Sequence, residues 1–301
     1  MVQLLHMFDN LQPGRYVVAV SGGVDSVVLL DLLRQNPEYQ LVVAHYDHGM
    51  REDSATDRKF VGKIAKQHGL PFVYDEGNLG ASASEANARE ARYNFLYKVR
   101  LQTNADGIVT AHHQDDLLET ALLNLLRGTH RKGLTSLKST DIIKRPLLHM
   151  PKQHIMKYAR ANGLVWREDV TNLDMKYKRN YVRHRLITKL TPTQRQHLLA
   201  HVRRMHKINQ ELDVELANLL HLQPSKTELD RRYLISLPYD VASELIAVWL
   251  AKNGIRNYDK GAINRIVVHA KTLRPGQYIT VNQCHFILVQ KQTLALKSRD
   301  R

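Results

Sequence analysis

Cysteine is nearly absent from this chain. Cys284 is the single one in 301 residues, which excludes an intrachain disulfide framework, a four-cysteine zinc site and a CxxC redox pair. No apolar stretch approaches the roughly eighteen residues that a membrane span needs. The start, MVQLLHMFDNLQPGR, has neither the basic n-region nor the apolar length of a signal peptide. Acidic residues are also scarce, 29 Asp and Glu against 44 Lys and Arg, for a net charge of +15. What remains is an ordinary hydrophobic fraction of 43%, enough for a sizeable core in one large domain or two smaller ones, and too much for a disordered chain. The expectation is a soluble cytoplasmic protein with no membrane association and a polyanionic partner.

Three short apolar runs are each followed by a polar turn and an amphipathic stretch. YVVAV at 16–20 leads into SGGVDS and VVLLDLLRQ, LVVAHY at 41–46 precedes the stretch from Ala55 to His68, and GIVTAH at 107–112 precedes HQDDLLETALLNLLRG. Strands alternating with helices predict an α/β fold, a doubly wound and mostly parallel sheet. Right-handed crossovers then gather the strand-to-helix turns at one edge, where such sheets bind ligands. Beyond Pro192 the pattern changes to a long amphipathic helix over 195–221, a linker at 221–230, two helical patterns near 239–252 and 258–272, and a β-like tail around YITVNQCHFILVQ. The expected parts are a catalytic α/β domain over 1–190, a helical bridge over 191–225 and a small C-terminal domain over 226–301.

SGGVDS, from Ser21 to Ser26, lies between a buried strand and a helix start, where backbone N–H groups and the helix dipole favour an anion. Gly22 and Gly23 allow close approach of backbone to phosphate, Val24 adds a backbone N–H, and Ser21 and Ser26 bring hydroxyls. Asp25 can face a magnesium ion accompanying the phosphates. Neither a Walker A loop nor G-x-G-x-x-G is present. From the hexapeptide alone, a phosphate site and an ordinary capped turn are equally open; its place after the first apolar run favours phosphate. In this setting SGGxDS resembles the loop of the N-type ATP pyrophosphatases, which cleave ATP to AMP and pyrophosphate.

TAHHQDDLLET at 110–120 forms a second cluster, with His112 at a strand end and Asp115, Asp116 and Glu119 in the first turns of the next helix. Spacings of three and four put Glu119 on the face of Asp115 and Asp116. A capping role is the plain alternative. A metal site is weaker, because adjacent histidines on a strand point to opposite faces. Further markers are AHYDHGMRED at 44–53, EANAREARYNFL at 85–96 with Arg89, Arg92 and Tyr93, RGTHRKGL at 127–134, and EDVTNLDMKYKRNYVRHRL at 168–186 with Asp169, Asn172, Arg179 and Arg183. In this order and spacing they closely resemble the tRNA(Ile)-lysidine synthetase family over 16–190, with Leu117, Tyr181 and Thr188 as modest departures.

The resemblance implies the adenine-nucleotide α-hydrolase-like fold, and ATP-dependent ligation of free L-lysine to C2 of the wobble cytidine in a CAU-anticodon tRNA(Ile). ATP and Mg²⁺ are the cofactors it implies, with pyrophosphate leaving into the SGGVDS loop. Asp115, Asp116 or Glu119 would accept the lysine proton, His112 would orient the base, and Arg183 would join them in catalysis. The C-terminal part would contact tRNA; the family includes members with a further C-terminal domain and a shorter two-domain form, which differ in how they would recognise tRNA. From Lys176 to Gln210 there are ten Lys or Arg and no Asp or Glu, which suits an RNA backbone track. Arg127, Arg131, Lys132, Arg179, Arg203 and Arg204 are the tRNA-binding candidates; Arg179 and Arg183, four apart, fit the active site as well, since guanidinium forks match phosphate. A sulfur-inserting relative would need paired cysteines or an iron–sulfur cluster, a nucleotide amidotransferase would leave the basic charge unused, and an inactive RNA-binding module would not need both SGGVDS and HHQDD.

Overall fold

The computed structural model describes residues 8, 11–49, 54–77, 85–129, 131–167, 178–255, 257–259 and 261–299. Arg51, Asp169, Thr171 and Asn172 lie outside them. The chain divides into two units, Met1–Met205 and His206–Arg301.

In the first unit five strands, β1 (Gly14–Ala19), β2 (Tyr39–Asp47), β3 (Phe72–Glu76), β4 (Gly107–Val109) and β5 (Ile143–Lys144), form a sheet of order β3-β2-β1-β4-β5. All four pairings are parallel. Alternate residues of one strand feed opposite cores, as the two-residue period of a pleated strand requires. Tyr16 and Val18 of β1 join Val28, Leu29 and Leu33 of α1 (Val24–Leu33), with Val61 of α2 (Ser54–Gln67) and Ile155 of α5 (Lys152–Ala161). Val17 joins Phe95, Leu96 and Val99 of α3 (Glu85–Gln102) on the other face. A third cluster packs Leu117, Leu118 and Ala121 of α4 (Gln114–Leu126) against Val182, Ile187, Leu199 and Val202. Both faces of the sheet are therefore covered, which is why β1 and β2 read as unbroken apolar runs.

The strand order also fixes where ligands approach. From β1 the chain moves outward to β2 on one side, and β4 flanks β1 on the other, so the turns after β1 and β4 open beside one another at the switch point of the sheet. Helix α3 precedes β4 and runs back along the sheet, so its first turns reach the same edge.

The second unit holds a four-stranded antiparallel sheet of order β6-β9-β8-β7, made of β6 (Glu228–Asp230), β7 (Tyr278–Thr280), β8 (His285–Val289) and β9 (Thr293–Ser298). Its core surrounds Trp249 with Leu245, Ile246, Ile266 and Ile287. The long helix α6 (Pro192–His221) carries the division between units within its length. The stretch read as a linker at 221–230 ends in strand β6, paired with β9. Three residues are too few to show alternation, so polar neighbours concealed the strand. Asp230 then caps the next helical turn, its Oδ1 accepting from the Tyr233 N–H at 2.9 Å.

Candidate active site

The SGGVDS turn closes on itself. Ser26 Oγ donates to the Gly23 carbonyl at 2.8 Å and accepts from the Ser21 N–H at 3.2 Å; the Ser21 and Ser26 hydroxyls lie 3.3 Å apart. Gly22 has a φ of +94°, which costs glycine little and other residues much. Gly23 is the extended N-cap of α1 and Val24 is buried in the core, so Val24 can offer a ligand only its backbone. Asp25 is already engaged, since Lys152 Nζ donates to Oδ1 at 2.6 Å and Oδ2 at 2.8 Å. Lys152 begins α5, and nothing in the sequence near either residue signals the pairing.

His112 and His113 follow β4 rather than ending it. His113 is the N-cap of α4; its Nδ1 accepts from the Asp115 N–H at 3.2 Å, and its own N–H donates to Asp116 Oδ2 at 2.9 Å. Accepting at Nδ1 leaves the proton on Nε2, which stands 3.7 Å from both Asp25 Oδ2 and Asp116 Oδ2. One imidazole thus lies between the turn after β1 and the helix after β4, just beyond hydrogen-bonding distance of both carboxylates. His112 turns elsewhere, its Nδ1 2.9 Å from Thr110 Oγ1. Burial drives its pKa down to about 3, with Arg145, Arg92 and Arg89 adding to the fall and Asp116 opposing it, so the ring is neutral at physiological pH.

The three carboxylates of α4 part company. Glu119 is 0% exposed, with Arg183 Nε donating to Oε1 at 2.6 Å, Arg183 Nη2 to Oε2 at 3.0 Å and Arg179 Nε to Oε2 at 3.2 Å. Asp115 pairs with Arg195. Asp116 accepts a longer contact from Arg183 Nη2, at 3.4 Å on Oδ1, in addition to the His113 N–H on Oδ2. Burial pushes Asp116 up, but His113, His112, the His113 N–H and Arg179 outweigh it and hold the carboxyl below its ordinary range. Burial likewise works against charge on Arg183, and its bonds to Glu119 reverse the balance and raise its pKa.

Helical spacing brings Arg179 and Arg183 together: Arg179 lies in the turn Lys178–Tyr181 and Arg183 in the π-turn Val182–Leu186, both facing Glu119. Arg179 thus stands with the carboxylates rather than with the remaining basic residues proposed for tRNA. Arg203 and Arg204 are exposed on α6, Arg127 is exposed at the end of α4, and Arg131 and Lys132 form part of the short helix Arg131–Leu134. No sequence signal marked Lys152 or Arg145, and Arg195 was one cation in a basic run.

Among the described residues no group of three or more His, Cys, Asp or Glu is arranged to hold a metal on its own, and no helix is long and apolar enough to cross a membrane. Asp25 nevertheless suits a magnesium ion coordinated chiefly by nucleotide phosphates and water, the usual way Mg²⁺ accompanies ATP. Lys152 would then share the carboxylate with it.

Residues 1–190 match the family model ATP_bind_3, described as a PP-loop domain. Among curated proteins, the chain is similar to the tRNA(Ile)-lysidine synthases of Solibacter usitatus (34% identical over 266 residues, 84% of this chain and 60% of that protein) and Thermotoga sp. strain RQ2 (40% over 198 residues, 61% and 48%). That of Thermus thermophilus is 43% identical over 174 residues, 56% of this chain and 34% of that protein. The chain thus spans between a third and three fifths of the length of these relatives. Among solved structures it is similar to the U34-tRNA thiolase NcsA of Methanococcus maripaludis with its [4Fe-4S] cluster. The TM-score there is 0.56 at 18% identity, over 68% of this chain and 78% of that one, a likeness of fold.

Proposed function

This chain belongs to the PP-loop domain family, and from that membership we propose that it ligates free L-lysine to C2 of the wobble cytidine of a CAU-anticodon tRNA(Ile), consuming ATP. The observation that carries the reading is the meeting of the SGGVDS turn with Asp116, Glu119 and Arg183 across adjacent strand ends, with His113 Nε2 3.7 Å from both Asp25 and Asp116. The names of the curated relatives support the same substrate.

The chemistry asks for two steps. The C2 carbonyl of cytosine is urea-like and a poor electrophile, so its oxygen first attacks the α-phosphorus of ATP and pyrophosphate departs. The turn after β1 supplies backbone N–H groups and the positive end of α1 to the departing phosphates. Lys152 stands beside them as a cation, and Arg183 is placed to face charge that develops on the transferred phosphate. A bound Mg²⁺ would add charge neutralisation at the phosphates.

In the second step the lysine ε-amine attacks C2, AMP leaves with the former carbonyl oxygen, and one proton is lost. Free lysine has an ε-pKa of about 10.4, so the ammonium needs an acceptor. Glu119 has both oxygens bound by arginines and Asp115 is held by Arg195; Asp116 keeps acceptor capacity and stays ionised. Asp116 is therefore the acceptor, Glu119 anchors Arg179 and Arg183, and neutral His112 is free to hydrogen-bond the base. The exposed Arg127, Lys132, Arg203 and Arg204 meet tRNA phosphates, together with Arg131.

The test is nucleoside mass spectrometry of CAU-anticodon tRNA(Ile) incubated with the protein, ATP, Mg²⁺ and lysine. A cytidine heavier by one lysine residue, absent without lysine, is the expected product. Release of AMP and pyrophosphate without the adduct would move the substrate elsewhere.

A further inference from the structure

Asp31 lies on α1, six residues beyond Asp25, is 5% exposed, and takes no part in the steps above. The Tyr158 hydroxyl of α5 donates to its Oδ2 at 2.7 Å, and Gln35 Nε2 donates to that hydroxyl at 2.7 Å. Arg34 Nε donates to Asp31 Oδ1 at 2.9 Å. Burial and the bond to Asp31 raise the pKa of the phenol against the opposing bond from Gln35, so Tyr158 remains a donor.

The neighbouring residues Leu30 and Leu33 of α1 and Ile155 and Ala159 of α5 belong to one apolar core. A buried, hydrogen-bonded carboxylate adds little stability in such a place, because apolar residues of similar volume often do as well or better. What it adds to an apolar helix interface is a single register, since sliding would leave its groups buried and unpaired.

Register is what the phosphate turn needs. Asp31–Tyr158 and Asp25–Lys152 both join residues 127 apart, so the two rungs are six residues apart on each helix, 25 to 31 and 152 to 158. At 1.5 Å per residue, α1 and α5 run parallel and in step over roughly 9 Å. A slip of α5 by one residue would turn Lys152 by about 100° and shift it by about 1.5 Å, taking Nζ away from Asp25. Beyond α5 the Arg167 N–H donates to the Gly22 carbonyl at 3.0 Å, an attachment to the turn that does not depend on the lower rung.

Resting on the role given above to Lys152 beside the phosphates of ATP, we propose that Tyr158 and Asp31 are positioning residues. They hold Lys152 at Asp25 and so set the affinity for ATP from roughly 9 Å along the helix pair. Both act through Lys152 and not on substrate themselves.

The experiment measures ATP-dependent AMP formation in the complete ligation assay, and urea unfolding, for the full chain and four variants. These are Tyr158→Phe, Lys152→Met, Tyr158→Phe/Lys152→Met and Asp31→Leu/Tyr158→Phe. Tyr158→Phe is expected to raise KM for ATP by about three- to tenfold and to leave KM for lysine and tRNA within about twofold. In the Lys152→Met background the same change should move KM for ATP by less than about twofold, since the cation it positions is gone. Asp31→Leu/Tyr158→Phe removes both partners, so its urea midpoint should return to that of the wild type or above while KM for ATP stays raised. Recovery of KM together with stability would overturn the proposal, because the rung would then serve packing only. So would equal effects of Tyr158→Phe with and without Lys152, or a Tyr158→Phe variant that keeps the wild-type KM. Should the Asp31→Leu variant fail to fold, the cycle with Lys152 decides alone. If AMP is released without a lysine adduct, the ligase reading fails and the cycle stands unchanged. If no AMP forms, ATP binding by isothermal titration to the same variants takes the place of KM. No ATP binding by the wild type, or none lost in Lys152→Met, would overturn the proposal together with the role of Lys152.

Discussion

Lys152 Nζ binds both carboxylate oxygens of Asp25, at 2.6 and 2.8 Å, across 127 positions of sequence. The pair places the first residue of α5 on the turn after β1. It gives the loop a cation that neither a Walker lysine nor any residue of SGGVDS supplies. Removing that cation while keeping the stem, as in Lys152→Met, should weaken ATP use by about 10- to 150-fold in kcat/KM, since hydrogen bonds to charged groups contribute about 1.5–3 kcal/mol. Lys152→Arg should retain more. ATP-dependent AMP formation measures both, and an unaltered KM for ATP in Lys152→Met would assign the pair to packing alone.

Glu119 is the negative centre of a buried triad, and its role is read best from stability. Glu119→Gln leaves two partly buried guanidiniums facing a neutral amide. Breaking a buried pair costs about 3–5 kcal/mol. Arg179 and Arg183 retain 22% and 28% side-chain exposure, so the lower end of that range is expected. Urea unfolding should show a larger loss for Glu119→Gln than for Asp115→Asn, whose Arg195 partner is similarly exposed but whose own carboxylate is not fully buried. Equal losses would show that the triad does not hold α4 against the 178–189 segment.

The parts of this architecture that could be read from sequence are those with long, local signals. β1 and β2 are buried on both faces and spell themselves out as apolar runs, and the glycine turn and the α4 cluster follow at fixed offsets. β5 has two residues and β6 has three, too few for any period to register. Side-chain roles were less legible still. Asp115, Asp116 and Glu119 are equivalent in spacing, and only Arg195, Arg179 and Arg183, brought in from 60 to 80 positions away, make them different. His112 and His113 look alike in sequence, yet one caps a helix and the other turns to Thr110.

Arg203 and Arg204 are exposed on α6, in a stretch with no acidic residue from Lys176 to Gln210. As phosphate ligands they should contribute to affinity without regard to sequence. The double variant Arg203→Gln/Arg204→Gln should reduce the slope of log K for tRNA against log salt by about 0.7–0.9 for each phosphate no longer neutralised. Its turnover at saturating tRNA should stay near that of the wild type. Binding titrations at several salt concentrations provide the check, and an unchanged slope would remove these two from the RNA track.

Acid sensitivity should reveal His112. Its folded pKa is about 3 against an ordinary 6.5, because burial and neighbouring arginines disfavour the imidazolium. Between those values the unfolded chain binds a proton that the folded chain does not. By linkage, stability then rises with pH across the window, at most about 1.4 kcal/mol per pH unit for one proton. The contribution is intact above about pH 6.5 and is lost as pH falls toward 3. Asp116 is depressed in the folded state as well, but its contribution disappears only below the ordinary carboxylate range, where its unfolded form also protonates. Between about pH 6.5 and 4.5 Asp116 therefore does not interfere. His68, which burial and Arg34 also hold below the ordinary histidine value, contributes with the same sign, so the comparison with a variant separates His112. His112→Asn keeps a hydrogen-bonding side chain and removes the titration, so its urea midpoint should fall less steeply over that interval than the wild type's. Parallel slopes would mean that the ring takes up its proton in the folded protein, and that a neutral imidazole is not what faces the base.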